Sequence, residues 1–215
     1  DHPEALRAEI RMAQLYEELA DAGDVAKHDN ARRAILQAVA ADPDGLVTRL
    51  EVARWGLETC ELDIAEQSAK ASLTIDSTSL DAKLLMGLIA RHRKDHVTAE
   101  RMLQETSDRS GDAAILAQRV LALDEQDDAA NRARALELSQ QLLENSGDLQ
   151  PAGRNAAVLA AWSRYRLNQQ EKAAEQAEAA VRDGPVSDEI GYLAARILYD
   201  SGKPQVALQL VRAAL

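Results

Sequence analysis

Six aromatic side chains occur in a chain of 215 residues, and four of them lie between Trp162 and Tyr199. Asn155, Val158, Trp162, Tyr165 and Arg166 follow one another in steps of mostly three or four, and Glu189, Tyr192, Arg196 and Tyr199 do the same. On a helix each set forms one stripe, because residues three and four apart share a face. Placed side by side, the two stripes make a groove with aromatic walls and two guanidinium groups, Arg166 and Arg196. Trp, Tyr and Arg most often dominate the energy of protein recognition, so the chemistry implied is non-covalent capture of an extended or helical peptide. Aromatic residues also pack between helices, and Tyr16 and Trp55 are read in that way.

Other reactive groups point nowhere definite. His92 and His96 have the four-residue spacing of two metal ligands on one helical face, but Arg93 stands where a metalloprotease would carry its Glu. The pair also straddles the turn expected at Asp95, so surface histidines are the simpler reading. Asp42, Asp44, Gly45 and Glu51 fit part of a calcium loop, whose first ligand position would be filled by Ala40. In "DEQDD", Asp124 to Asp128, a helix cap at Asp127 or Asp128 is the simpler use of the acids. Cys60 has no cysteine partner, which excludes an internal disulfide, and no nearby His to activate it. There is no phosphate-binding glycine loop, no G-x-S-x-G elbow and no cysteine pair for zinc. The expectation is therefore a non-enzymatic protein without metal or cofactor.

The composition narrows the elements that must position the aromatic stripes. Net charge is −11, hydrophobic residues make up 46%, aromatics 3%, and there is no Phe. A core of this kind is built from Leu, Ile, Val and Ala, which favours closely packed helices. β-Branched and aromatic residues never cluster in alternating runs, so strands are not expected. The short basic clusters Arg32-Arg33 and Arg91-His92-Arg93-Lys94 are flanked by acids, which argues against a nucleic-acid surface. No apolar run approaches the roughly 18 residues of a membrane-spanning helix, so direct membrane insertion is not expected.

Periodicity organises the chain. Ala31, Ala65 and Ala99 are spaced by 34 residues, and Ala173 and Ala207 by 34 again. "NRARALELSQQLLENSGD" supplies Ala133 or Ala135 at the equivalent place, with a few inserted residues. Each unit runs through an apolar helix, a polar turn, a helix opening near the marked alanine, and a break: "ADPDG", "TIDSTS", "SDRSGD", "ENSGD" and "RDGPVSD". Thr78 with Asp81 reads as a capping box, and Ser187 as an N-cap. In "NQQEKAAEQAEAAVRDGP" the spacing of Ala173, Ala177 and Ala180 is i, i+4 and i+7. Small residues so placed let a helix approach its neighbours closely.

A helix-turn-helix repeat of about 34 residues resembles the tetratricopeptide repeat. The third unit carries Met86-Gly87, Ala99 and Leu103; the first keeps Tyr16, Ala31, Ile35, Ala38 and Pro43; the fifth keeps Ala173, Ala177, Ala180 and Pro185; the sixth keeps Gly202, Ala207, Val211 and Ala214. Departures are Ala69 and Ala177 at the bulky site, and Ser77, Gly111 and Gly147 in place of the closing Pro. The first unit has about six extra residues, "DVAKHD", implying longer helices, and "LALDEQDDAANRA" is read as a lengthened inter-helix turn in the fourth. The resemblance implies an all-α solenoid of about six hairpins in a right-handed superhelix, a single domain over 1–215 with repeats near 4–43, 44–77, 78–111, 112–147, 151–185 and 187–215. It implies that first helices line a concave groove, and a scaffold that binds a protein or peptide there. The alternative is a structural or oligomerising module of a larger protein. Arg49, Leu50, Arg54, Leu57, Leu84, Leu88 and Arg91 lack the Lys/Asn pattern of a clamp for an acidic peptide C-terminus. The last helix presents Val206, Leu208, Leu210, Val211 and Leu215, so cover by further chain or by a second copy, a homodimer, is expected.

Overall fold

Alanine, leucine and long charged side chains, with few β-branched residues, favour helix at almost every position between the breaks. The computed structural model describes residues 25–146, 151–182 and 184–213. Tyr16, Gly147, Ala214 and Leu215 lie outside them. Among the described residues there are eleven helices and no strand. They are α1 (Val25–Ala41), α2 (Leu46–Glu58), α3 (Leu62–Ile75), α4 (Leu80–His92), α5 (His96–Ser110), α6 (Ala113–Asp124), α7 (Ala129–Ser146), α8 (Pro151–Arg166), α9 (Gln170–Arg182), α10 (Asp188–Asp200) and α11 (Pro204–Ala213).

The chain divides into two compact units between Thr98 and Ala99. In the first, α2 packs on α1 and pairs with α3, and α4 then touches both α2 and α3. In the second, α6 pairs with α7, α8 with α9 and α10 with α11. Here α8 touches both α6 and α7, and α10 touches both α8 and α9. Within each unit, then, the hairpins α2–α3, α6–α7 and α8–α9 are each covered by the first helix that follows.

The recurring alanines sit where these helices come closest. Ala31, Ile35 and Ala38 of α1 are fully buried, as are Ala65, Ala69 and Ser72 of α3 and Ala99, Leu103 and Thr106 of α5. In α9, Ala173, Ala177 and Ala180 are buried in the same i, i+4, i+7 spacing. A Cβ added to Gly56 of α2 would stand 2.8 Å from the Ala65 backbone nitrogen, so any larger residue forces this hairpin apart. In the fourth hairpin Ala135 is fully buried and Ala133 exposed, which makes Ala135 the counterpart. The inserted residues there lengthen α7 to 18 residues, and the turn itself is only Glu125 to Asp128. The turn is thus longer by one residue than the three-residue turns of the other hairpins, and the rest of the insertion extends the helix at its start, where every added amide joins the helical ladder. In the first unit, α1 is a long second helix of 17 residues.

The hairpin turns share a backbone device. Cys60, Lys94, Asn168 and Gly202 have φ of 61°, 64°, 62° and 79°, and each stands five residues before its marked alanine. At the last three the next residue's N–H closes on a carbonyl five back, Asp95 to Ala90, Gln169 to Arg164 and Lys203 to Leu198, each at 2.9 Å. This is a Schellman ending, which demands one left-handed residue. One helix start differs from expectation by a residue. Ser79, not Thr78, caps α4 by accepting from Ala82 N at 3.3 Å, while Thr78 donates to Asp76. Ser187 is the N-cap of α10, but its side chain makes no capping bond. Asp128 caps α7, accepting from Ala130 N and Asn131 N at 3.2 Å each.

Buried polar groups hold the second unit. Arg119 of α6, 4% exposed, reaches Glu100 at 3.2 Å and Asp108 at 3.3 Å. Arg154 of α8 donates to the Pro185 carbonyl at 3.0 Å. Asp124, at the end of α6, is fully buried, and its Oδ2 lies 2.6 Å from Ser163 Oγ of α8. Ser163 Oγ also lies 3.2 Å from the Leu159 carbonyl. The Ser163 hydroxyl has one proton for these two acceptors: it donates to the ionised Asp124 carboxylate, and protonation of Asp124 frees it for the Leu159 carbonyl. Burial pushes the Asp124 carboxyl from 3.8 up to about 7, against the hydrogen bond from Ser163 and the charges of Arg166 and Arg132.

Lys94 is exposed and left-handed, so Lys94→Gly should stabilise by about 0.5–1 kcal/mol, whereas Gly202→Ala should cost about 1 kcal/mol. Urea denaturation measures both, and equal stabilities would refute the strain. The fold holds the Asp124 proton more tightly than the unfolded chain does. That stabilisation is complete below about pH 4 and is lost as pH rises to about 7. Asp124→Asn should therefore gain on the wild type by roughly 2–3 kcal/mol between pH 5 and pH 8, since each tenfold change in proton affinity is worth about 1.4 kcal/mol. Parallel pH profiles of the two proteins would rule this out.

Candidate binding surface on the last two hairpins

The nine residues of the two stripes fall on α8 and α10, neighbouring first helices in the second unit. Two of them serve the fold. Val158 is fully buried, correcting its place on a groove stripe, because α10 covers α8 at that level. Asn155 accepts from Ser187 N at 3.1 Å through Oδ1, which ties α8 to the start of α10.

Above them the chemistry gathers. Trp162 and Tyr165 are half-buried and stacked, with ring centroids 5.3 Å apart and planes at 22°. The Arg166 guanidinium lies 6.0 Å from the Trp162 ring centre, within cation–π range. Tyr165 Oη donates to Asp200 Oδ2 at 2.6 Å, and Arg196 Nε donates to the same oxygen at 2.7 Å. Those two hydrogen bonds hold the Asp200 carboxyl below the usual carboxylate range, and the bond to Asp200 raises the Tyr165 phenol. Trp162, Tyr165, Arg166 and Arg196 therefore come together, joined by a residue the stripe reading missed. Asp200 has a readable signal in retrospect: it stands four residues after Arg196, the spacing of a helical ion pair.

Glu189 is exposed at the start of α10, 3.4 Å from Gln118 Nε2. Tyr192 and Tyr199 are each 64% exposed. With Arg196, Pro204, Leu208 and Val211 they line a groove of about 400 Å³ between α10 and α11. Leu208 and Val211 are themselves 44% and 40% exposed.

The remaining candidates stay apart. His92 ends α4 and His96 begins α5, with left-handed Lys94 between them, so no single helical face carries both. Asp42 Oδ2 accepts from Thr48 Oγ1 at 2.8 Å in the turn before α2, a use internal to the fold. Cys60 is exposed at its turn. Among the described residues no group of three or more His, Cys, Asp or Glu side chains is placed to hold a metal ion. No helix among them is long and apolar enough to cross a membrane.

No family model matches the sequence, and no curated protein is significantly similar to it. Solved structures do resemble it. PilF of Pseudomonas aeruginosa has a TM-score of 0.62 at 17% identity, over 96% of this chain and 89% of that one. MamA has a TM-score of 0.63 at 17% identity, over 85% and 93%. YrrB, described as a TPR protein with an unusual peptide-binding site, has a TM-score of 0.54 at 15% identity, over 84% and 90%. Stacked hairpins, a 34-residue period marked by buried alanines, and these likenesses together identify the fold as that of the tetratricopeptide-repeat proteins.

Proposed function

We propose that the chain is a non-catalytic scaffold that holds a protein segment against the first-helix face of α8 and α10. The observation that carries this is the Trp162–Tyr165 stack with Arg166 over it and Arg196 beside it. These rings are left half-open to solvent. Trp, Tyr and Arg in a partly desolvated cluster are the groups that dominate protein–protein binding energy. Asp200 holds Tyr165 and Arg196 in place, so little side-chain freedom is lost on binding. Glu189 stands exposed at the start of α10, which Asn155 ties to α8. The fold similarity to YrrB supports the class of partner, a peptide or protein segment, at the level of the fold alone.

The test uses Trp162 as reporter. Trp55 is only 2% exposed, so in a Trp55→Phe background Trp162 reports the surface alone. Peptides selected from a random display library on the folded chain should change its fluorescence on binding. Arg196→Ala should weaken them at least tenfold, the equivalent of about 1.4 kcal/mol. Peptides that bind without moving the Trp162 signal, and with unchanged affinity for Arg196→Ala, would remove this surface as the site.

A further inference from the structure

Arg166 lies beside both a half-open aromatic ring and a buried carboxyl. It stands four residues after Trp162 and three after Ser163, so one turn of α8 brings it over both. The Trp162 ring centre is 6.0 Å from its guanidinium, and Ser163 Oγ is 2.6 Å from Asp124 Oδ2 of α6. The positive charge of Arg166 acts on Asp124 across this gap. Arg166 is itself half-buried, and among the described residues it forms no ion pair and no hydrogen bond. Its contact with the ring is therefore the one thing that holds it outward.

Asp124 is badly placed to be an anion. It is fully buried, its Oδ2 meets the Ser163 hydroxyl, and its Oδ1 makes no hydrogen bond. It also ends α6, where the last backbone carbonyls repel negative charge. Three charged groups face it. Glu125, at the end of its own helix, repels; Arg166 from α8 and Arg132 from α7 attract, Arg166 the more strongly. Arg132 is already paired with Asp127. Once Asp124 loses its proton, the bare buried oxygen is a stronger partner for the Arg166 guanidinium than the face of a ring.

We propose that ionisation of Asp124 draws the Arg166 guanidinium off the Trp162 ring, so that the surface on α8 and α10 is complete only while Asp124 keeps its proton. The consequence for a bound segment rests on the function proposed above; the movement of Arg166 does not. With Asp124 neutral, Arg166 stays over the ring and the segment is held. With Asp124 ionised, the ring face is bared, one of the two guanidinium charges is neutralised from within, and affinity falls as pH rises through about 7. The rest of the surface does not titrate there. The Tyr165 phenol is raised and the Asp200 carboxyl lowered, both away from neutrality, and no histidine follows His96 in the chain.

The test follows Trp162 emission in the Trp55→Phe background from pH 5.5 to pH 8.5, with no peptide present and with circular dichroism to verify that the helices persist. The emission should change sigmoidally with a midpoint at about 7. Asp124→Asn should keep the low-pH signal throughout, and Arg166→Gln should abolish the titration. The coupling is reciprocal, so carbon-13 NMR of the carboxyl groups should show the Asp124 midpoint raised by about half a pH unit or more in Arg166→Gln, where an attracting charge is lost. A flat profile overturns the proposal, as does one that survives either substitution or an Asp124 midpoint indifferent to Arg166→Gln. Peptides selected on the Trp162 surface at pH 5.5 should bind about threefold or more weakly at pH 8.5, and Asp124→Asn should remove that loss. A constant affinity beside a titrating Trp162 overturns the control of binding. If no peptide binds at Trp162, the proposed function fails while the movement of Arg166 stands on the emission profile.

Discussion

Two helices can lie against each other at backbone contact only where neither carries a side chain between them. In this chain that condition is met at fixed intervals. Ala65 faces a glycine of its own hairpin at Gly56, with no room for a single added carbon. Ala69 and Ser72 continue the same small stripe, as Ala177 and Ala180 continue that of Ala173. Close approach multiplies the weak dispersion contacts along the whole helix, which is how a core without Phe reaches native packing. It also leaves almost no slack. The left-handed residue at each hairpin turn, whether Cys60, Lys94, Asn168 or Gly202, is the backbone cost of returning the chain at that distance.

Polar groups drawn into such narrow interfaces must be answered there. Arg119 is answered by two carboxylates, and Arg154 by a carbonyl. Asp124 is answered by one serine, whose hydroxyl is shared with a backbone carbonyl, and burial then favours its protonated form. The Asp200 carboxylate stands at the same level of its own first helix but in solvent, and there it stays ionised and organises Tyr165 and Arg196. Two aspartates at equivalent places thus have opposite protonation tendencies, because α8 covers the first and nothing described covers the second.

The same contrast runs through the candidate surfaces. Positions equivalent by sequence are buried when a following helix covers them and exposed when none does, as Val158 and Tyr192 demonstrate. The Trp162–Tyr165 stack remains half-open on a covered hairpin, and Tyr192, Tyr199, Leu208 and Val211 remain open on the last one.

The all-helical class, the 34-residue hairpins and the alanine stripes were legible in the sequence, because helix periodicity and close packing are both written in side-chain size. The aromatic stripes were legible as same-face sets for the same reason. Periodicity is blind to what lies across a face, so only the tertiary structure decided that Val158 belongs to the core and that Tyr192 belongs to an open groove. It alone chose Ala135 over Ala133, since an insertion that lengthens α7 shifts which residue meets its neighbour. It alone brought Asp200 to Tyr165 and Asp124 to Ser163, because hydrogen bonds between residues 35 and 39 positions apart depend on how neighbouring helices are set, not on spacing along one of them.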